Sequence, residues 1–123
     1  RQSIKRIGIR FINRIEFTND ELPDLFSIYP MLVGKMTKEI AGYFQQNIYS
    51  FKGGEYQASY IQTIQPPATG GDNPCVILDI DVYTAETLHI DEKEILSYLE
   101  QIRSMKNDIF FGAVKEVLVR RLQ

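Results

Sequence analysis

The sequence is poor in the residues that build cross-links, metal clusters and membrane spans. It has one cysteine, Cys75, one histidine, His89, and no tryptophan. A single cysteine excludes an internal disulfide and is typical of a reducing compartment, so we expect a cytoplasmic location. His89 has no second histidine or clustered cysteine with which to form a zinc site. No apolar run approaches the roughly 20 residues that cross a bilayer, so no membrane partner is expected.

A surplus of basic residues is also missing. The 123 residues carry 14 Lys and Arg against 16 Asp and Glu, which gives a formal net charge of −2. Non-specific phosphate binding depends on surplus positive charge, so this balance argues against a domain whose main task is to bind nucleic acid. The chain is 44% hydrophobic and 24% charged, which is typical of a globular protein. We expect a single domain over residues 1–123.

Four segments predict strands, because apolar and polar residues alternate along them. These segments are residues 4–17, 40–51, 55–65 and 75–83. In the second segment Phe44 and Ile48 fall on one face, and Tyr43 and Tyr49 fall on the other. The adjacent Gly53-Gly54 predicts a hairpin between the second and third strands, since tight hairpin turns need positive φ angles. The four strands together predict a sheet with one apolar and one polar face.

The last third of the chain has helical periodicity. Asp91 and Glu94 form a capping-box pattern, after which residues 92–121 keep an apolar stripe. An unbroken helix of that length would be about 45 Å long at ~1.5 Å per residue, too long for so small a domain. We therefore expect a break near Asn107 or Gly112. The predicted fold is α+β, with an antiparallel sheet of about four strands covered on one face by two C-terminal helices.

Three stretches of the chain resemble a sporadically distributed prokaryotic protein family. Residues 6–15 resemble its arginine–glycine–arginine strand ending in an aromatic, isoleucine, asparagine and arginine. Residues 78–83 are similar to its aspartate-rich strand, and residues 107–110 to its phenylalanine-centred C-terminal element. Members are about twice this length and have no assigned activity, so the resemblance implies that this chain is the C-terminal half of such a protein. Gly112 departs from the family pattern, in which a small hydroxyl residue opens the last helix.

Charged and tyrosine side chains form a candidate binding surface on the polar face of the predicted sheet. Three arginines lie four residues apart, with their Cα atoms about 13 Å apart at ~3.3 Å per residue. If the first and fourth strands are neighbours, Arg10 and Arg14 lie within ion-pair reach of Asp79 or Asp81. One interpretation is cross-strand ion pairing on a solvated or covered face. The other is a recognition surface, because Tyr and Arg are enriched in interface anchors. The candidate residues are Arg6, Arg10, Arg14, Tyr43, Tyr49, Asp79, Asp81 and Tyr83.

No catalytic constellation stands out. Asp79 and Asp81 after Gly70-Gly71 superficially resemble the metal-binding carboxylates of nucleotidyltransferases, and two such carboxylates could share Mg²⁺. However, Asn73-Pro74 leaves no room for the helix that should follow the glycines, and no third acidic ligand is evident. His89 and Cys75 fit structural roles better than catalytic ones. No nucleotide-binding motif is present, so we expect no catalytic residue, metal or cofactor.

Three functional hypotheses follow. The first is a non-catalytic interaction or regulatory module, favoured by the amphipathic sheet. The alternative is a nucleic-acid-binding module that uses the arginine row and neighbouring tyrosines. The third, a metal-dependent enzyme, would need Asp79 and Asp81 to bind a divalent ion. The expected partners are the missing N-terminal half and a second copy of the chain. Without the N-terminal half, the surface that it covers would be exposed to water, and such surfaces tend to self-associate. Leu96, Val114 and Leu122 would add apolar area on the outer helix surface.

Overall fold

A computed structural model describes residues 2–17, 22–27, 42–65 and 74–122. Its main feature is an antiparallel sheet of four strands. The elements of the described residues are β1 (Gln2–Ile4), β2 (Gly8–Glu16), α1 (Leu22–Leu25), β3 (Tyr43–Phe51), β4 (Tyr56–Gln65), β5 (Cys75–Thr84), β6 (Leu88–Ile90), α2 (Glu92–Ala113) and α3 (Glu116–Leu122). The strand order of the sheet is β2-β5-β4-β3. The predicted α+β class and the four-stranded sheet are confirmed.

The first predicted strand is divided in two. The structure breaks the 4–17 segment at residues 5–7, and the short β1 leaves the main sheet to pair with β6. Ile7 N–H donates to the Thr84 hydroxyl at 3.0 Å, which ties this break to the end of β5. The two-stranded sheet of β1 and β6 was not predicted, because strands of three residues are too short to show a period. Residues 40 and 41 of the second predicted strand lie outside the described residues.

The core lies between the sheet and α2. Alternate residues of β4 and β5 are almost completely buried, as their period of two requires. Ile102 and Met105 of α2 pack against them. The helix begins with the predicted capping box, in which Asp91 accepts from Glu94 N–H at 3.0 Å and Glu94 accepts from Asp91 N–H.

The helical stretch breaks close to Gly112, as predicted. Val114 has extended backbone angles and bridges to Phe26, and two flanking hydrogen bonds join residues 25–27 to the break. α3 then begins at Glu116, so Gly112 lies in the last turn of α2 and does not open the last helix. Burial of Val114, at 4% exposure, contradicts its predicted place on the outer surface. Leu96 is exposed as predicted, and the side chain of Leu122 lies outside the described residues.

The predicted hairpin joins β3 to β4, but its turn is longer than two residues. Phe51 and Tyr56 form the last pair, and a 3-10 turn at Lys52–Gly54 followed by Glu55 connects them. The φ angles are 50° at Lys52, 68° at Gly53 and 97° at Gly54. The two glycines therefore supply the left-handed backbone that the turn needs, and Lys52 adopts it despite its side chain.

Candidate functional site

The arginines and aspartates of the predicted surface meet between β2 and β5. Arg10 donates twice to Asp79, from Nε at 3.0 Å and from an Nη at 2.6 Å. This pair runs diagonally, since the residue directly opposite Arg10 is Asp81. Asp81 instead accepts from Arg6 at 2.9 Å. The hydrogen bond and charge of Asp79 raise the pKa of Arg10 further above its usual value. The interpretation as cross-strand ion pairs is confirmed for these two arginines.

Tyr83 and Arg14 complete this part of the face in different ways. The Arg6 guanidinium carbon lies 3.7 Å from the centre of the Tyr83 ring, a cation–π contact. Arg14 lies opposite Ile77 and reaches neither aspartate. It donates to the Gln65 side-chain oxygen at 3.2 Å instead. The prediction of an aspartate partner for Arg14 was therefore wrong, because Ile77 occupies the cross-strand position.

Tyr43 and Tyr49 do not lie beside the arginines. In the register of β3 with β4, Tyr43 is opposite Ile64 and Tyr49 is opposite Ala58, and both partners are buried on the helix side of the sheet. The predicted interleaving with the arginines is wrong for these two tyrosines. The predicted alternation along β3 is confirmed, but its tyrosines face the helix side and its apolar residues Phe44 and Ile48 face away from it. The physical reason is that α2 packs mainly on β5 and β2, so an apolar side chain on β3 is not drawn to the helix side.

The side of the sheet that no described helix covers, which we call the open face, carries three exposed aliphatic or aromatic side chains among the described residues. Ile12 is 58% exposed, Phe44 65% and Ile48 57%. Ile12 lies on β2, and the other two lie on β3 at the opposite edge. Four strands of about nine residues give this face an area of roughly 600 Å² at ~4.8 Å between strands and ~3.3 Å per residue. Two strands with charged and polar side chains separate Ile12 from the other two, so the apolar area lies at both edges of the face.

On the helix side, β3 carries a row of hydrogen-bonded polar side chains. Tyr43 donates to Gln45 at 3.4 Å, Gln45 to Asn47 at 2.8 Å and Asn47 to the Tyr49 hydroxyl at 2.9 Å. Burial raises the pKa of Tyr43. The row follows the strand beside a cavity of about 360 Å³, whose lining includes Tyr49. It therefore forms a polar margin to an otherwise apolar opening.

Behind that row, a second pair of polar groups lies fully buried. The Tyr60 hydroxyl donates to the side-chain oxygen of Gln62 at 2.5 Å, and both residues are at most 1% exposed. Burial raises the pKa of Tyr60 well above its usual value, and the neighbouring Tyr49 and Tyr43 raise it further. Sequence reasoning missed Gln62, although it stands in the same alternating row as Tyr60 and Ile64.

The remaining candidate residues have structural surroundings. Asp79 and Asp81 are engaged by arginines, which compete with any cation for the same oxygens. Within the described ranges, no three His, Cys, Asp or Glu side chains are close enough together to hold a metal ion. Cys75 is buried at the start of β5, and His89 lies on β6 opposite Ser3. Gly70 and Gly71 lie outside the described residues.

Comparison with known proteins found no match, neither to a family model, nor to a curated protein, nor to a solved structure. The structure itself defines the class, an α+β domain whose antiparallel sheet is covered by a helix on one side. It brings the three sequence stretches at residues 6–15, 78–83 and 107–110 together. The first two pair as β2 and β5, and the rings of Phe11 and Phe110 lie 5.4 Å apart, edge to face. In the part of the chain that is described, every helix is too short or too polar to cross a bilayer.

Proposed function

We propose that this domain is a non-catalytic protein-interaction module and that its open face docks a second copy of the chain. The observation that carries the proposal is the exposure of Ile12, Phe44 and Ile48 on one uncovered sheet face. Ile12 lies on one edge strand and Phe44 and Ile48 on the other, so apolar contacts are available at both edges of the face. Docking a protein surface there would remove that area from water, which is the main favourable term in association.

The charges of the open face support a protein partner over nucleic acid. Arg6 and Arg10 are already neutralised by aspartates, and each ion pair leaves little net field for a phosphate. The positive charge of Arg14 is balanced by the negative charge of Glu16, which lies on the same face of β2. A face that carries both signs in equal number suits a second copy of itself, since neither copy repels the other as a whole.

The size of the open face sets the expected strength of the dimer. A stable protein interface buries about 800 Å² on each partner, whereas this face offers roughly 600 Å². We therefore expect a weak dimer whose formation depends on protein concentration. The contact would be isologous, because one surface serves both copies across a two-fold axis.

We also propose that this domain belongs to a longer protein and that the protein is cytoplasmic. The resemblance to the prokaryotic family supports a longer polypeptide of which this domain is the C-terminal half. The remaining half would then be the competing occupant of the open face. The single cysteine, Cys75, supports a cytoplasmic location, because a reducing compartment keeps thiols free.

Sedimentation equilibrium from low to high micromolar concentration tests the dimer. We expect a concentration-dependent mass approaching twice that of the chain. Ile48→Lys and Ile12→Lys should each weaken association at least tenfold. Leu96→Lys is the matched control, because Leu96 is 65% exposed on α2, away from the open face. It should associate as the unmodified chain does.

The two variants also separate face-to-face docking from edge-to-edge pairing through β3. Ile12 lies on β2, three strands away from β3, so an edge-to-edge dimer would survive Ile12→Lys. A dimer that survives this variant would overturn docking on the open face. A strictly monomeric chain would overturn the self-association and favour the remaining half of the protein as the occupant.

A further inference from the structure

A groove runs between α2 and β3 on the helix side of the sheet. It consists of two adjoining cavities, of about 360 and 290 Å³, which share Phe51 and Asp108 as walls. One wall is a stripe of α2 at helical spacing, from Gln101 to Ala113. The stripe is about 18 Å long at ~1.5 Å per residue, which equals the length of about five extended residues. We call this feature the helix–strand groove.

β3 forms the other wall, and no described strand covers its outer edge. Among the residues that the structure describes, β3 pairs only with β4. Its nine residues contain no charged residue, no proline and no glycine. Native sheets protect their edges with charges, prolines or bulges, and the opposite edge strand follows that rule with Arg10, Arg14 and Glu16. The backbone N–H and C=O groups on the outer side of β3 are therefore suited to pair with another strand.

The lining of the groove indicates which side chains it would accept. The larger cavity has aromatic and aliphatic walls, among them Tyr60 and Ile109. Asp108 borders both cavities, and no side-chain hydrogen bond or ion pair joins its carboxylate to another described residue. The cation at the far end, Lys52, already donates to the side-chain oxygen of Gln101 at 2.7 Å. The groove therefore combines an apolar cavity with a carboxylate at its rim that is not paired with any described side chain.

We propose that the helix–strand groove binds an extended peptide, which adds a fifth strand to the outer edge of β3. Main-chain hydrogen bonds to β3 would hold the peptide, and alternate side chains would point into the groove. An aromatic or aliphatic side chain fills the larger cavity, and a Lys or Arg two residues along pairs with Asp108. This proposal goes beyond the dimer, because it uses the edge and helix side of β3 and not the open face.

Fluorescence anisotropy with defined peptides tests the proposal. The probe is a fluorescein-labelled heptapeptide, Thr-Val-Thr-Phe-Thr-Lys-Thr, measured up to millimolar protein. A second peptide with glutamate in place of the lysine should bind at least tenfold more weakly. Two further peptides carry N-methyl groups on one or the other set of alternate backbone nitrogens. Only the set that faces β3 is needed for strand addition, so one of these peptides should lose binding and the other should retain it.

Two protein variants locate the peptide in the groove. Asp108→Lys should reverse the preference between the lysine and glutamate peptides, whereas Glu100→Lys, the same charge change outside both cavities, should not. Gly112→Leu should fill the larger cavity and reduce binding at least tenfold. A Cβ atom at Gly112 meets nothing within 4 Å and leucine favours a helix, so this variant should fold. Asn107→Leu adds the same side chain on α2 outside both cavities and should bind normally.

Three outcomes would contradict the proposed peptide site. Equal binding of both N-methylated peptides would overturn strand addition and leave a groove that recognises side chains or small molecules alone. Unchanged preference in Asp108→Lys would overturn the role of the carboxylate, and no binding at millimolar protein would overturn the proposal as a whole. Repeating the titrations with Ile12→Lys keeps this result separate from the dimer, because that residue lies on the open face at the opposite edge of the sheet from β3.

Discussion

The buried pair of Tyr60 and Gln62 gives the sharpest test of how this core is held together. Tyr60→Phe removes the hydroxyl that donates to Gln62 at 2.5 Å and leaves the amide oxygen without that donor. Both side chains are at most 1% exposed, so bulk water has little access to the pair. Losing one partner of a buried hydrogen bond costs about 1–3 kcal/mol. We expect Tyr60→Phe and Gln62→Met each to lower the free energy of unfolding by an amount in that range.

The double variant is the informative measurement. Replacing both partners by apolar groups of similar shape removes the need for the hydrogen bond, so the double variant should cost less than the sum of the single variants. Urea unfolding followed by circular dichroism measures each free energy by linear extrapolation. Tyr98→Phe is the control, since that hydroxyl contacts Glu55 at 3.5 Å in an exposed position and should contribute little. Additive losses in the double variant would refute the argument that the two groups act as a pair.

Three further predictions follow from the same structure. Phe110 is half-buried and packs edge to face on Phe11. Phe110→Ala should therefore lower the free energy of unfolding in urea by about 1.5–3 kcal/mol. A decrease below ~0.5 kcal/mol would contradict this packing. Burial raises the pKa of Tyr56 to about 12, above the value of about 10 in the unfolded chain. The unfolded state therefore loses its proton first, and the melting temperature should fall between pH 10 and 12, less steeply in Tyr56→Phe. Single-stranded oligonucleotides should show no salt-dependent binding in anisotropy titrations, because Arg6 and Arg10 form ion pairs with aspartates. A binding constant that falls steeply with salt would instead support the nucleic-acid alternative.

Most of the sheet could be predicted because its signal is repeated and strong. In β4 and β5 every second residue is buried, and that period fixes both the element and its inner face. Arg10 and Asp79 could likewise be expected to meet once β2 and β5 were neighbours. The same signal failed for β3, since alternation separates two faces without saying which one meets the helix. Only the position of α2, over β5 and β2, decides that Phe44 faces outward.

Other parts of the site depend on contacts that no local pattern contains. Gln62 is buried and accepts a hydrogen bond from Tyr60, and a glutamine in an otherwise apolar row has no sequence signature of its own. Val114 is buried because the break in the helix lets it bridge to Phe26, 88 residues earlier in the chain. The helix–strand groove likewise arises where α2 passes beside a strand far from it in sequence. Such features follow from packing and become visible only in three dimensions.

The strand order has a consequence for how the chain folds. β3, β4 and β5 are consecutive in the sequence, and each can pair with its neighbour after closing one connection. β2 must instead close a much longer loop, since Arg10 and Asp79 are 69 residues apart. Long-range pairing is slow because loop-closure entropy is lost before the contacts form. β2 is therefore expected to dock after the three-stranded meander has formed. Until then Asp79 and Asp81 have no arginine partners, and the ion pairs of the open face appear only in the final step of folding.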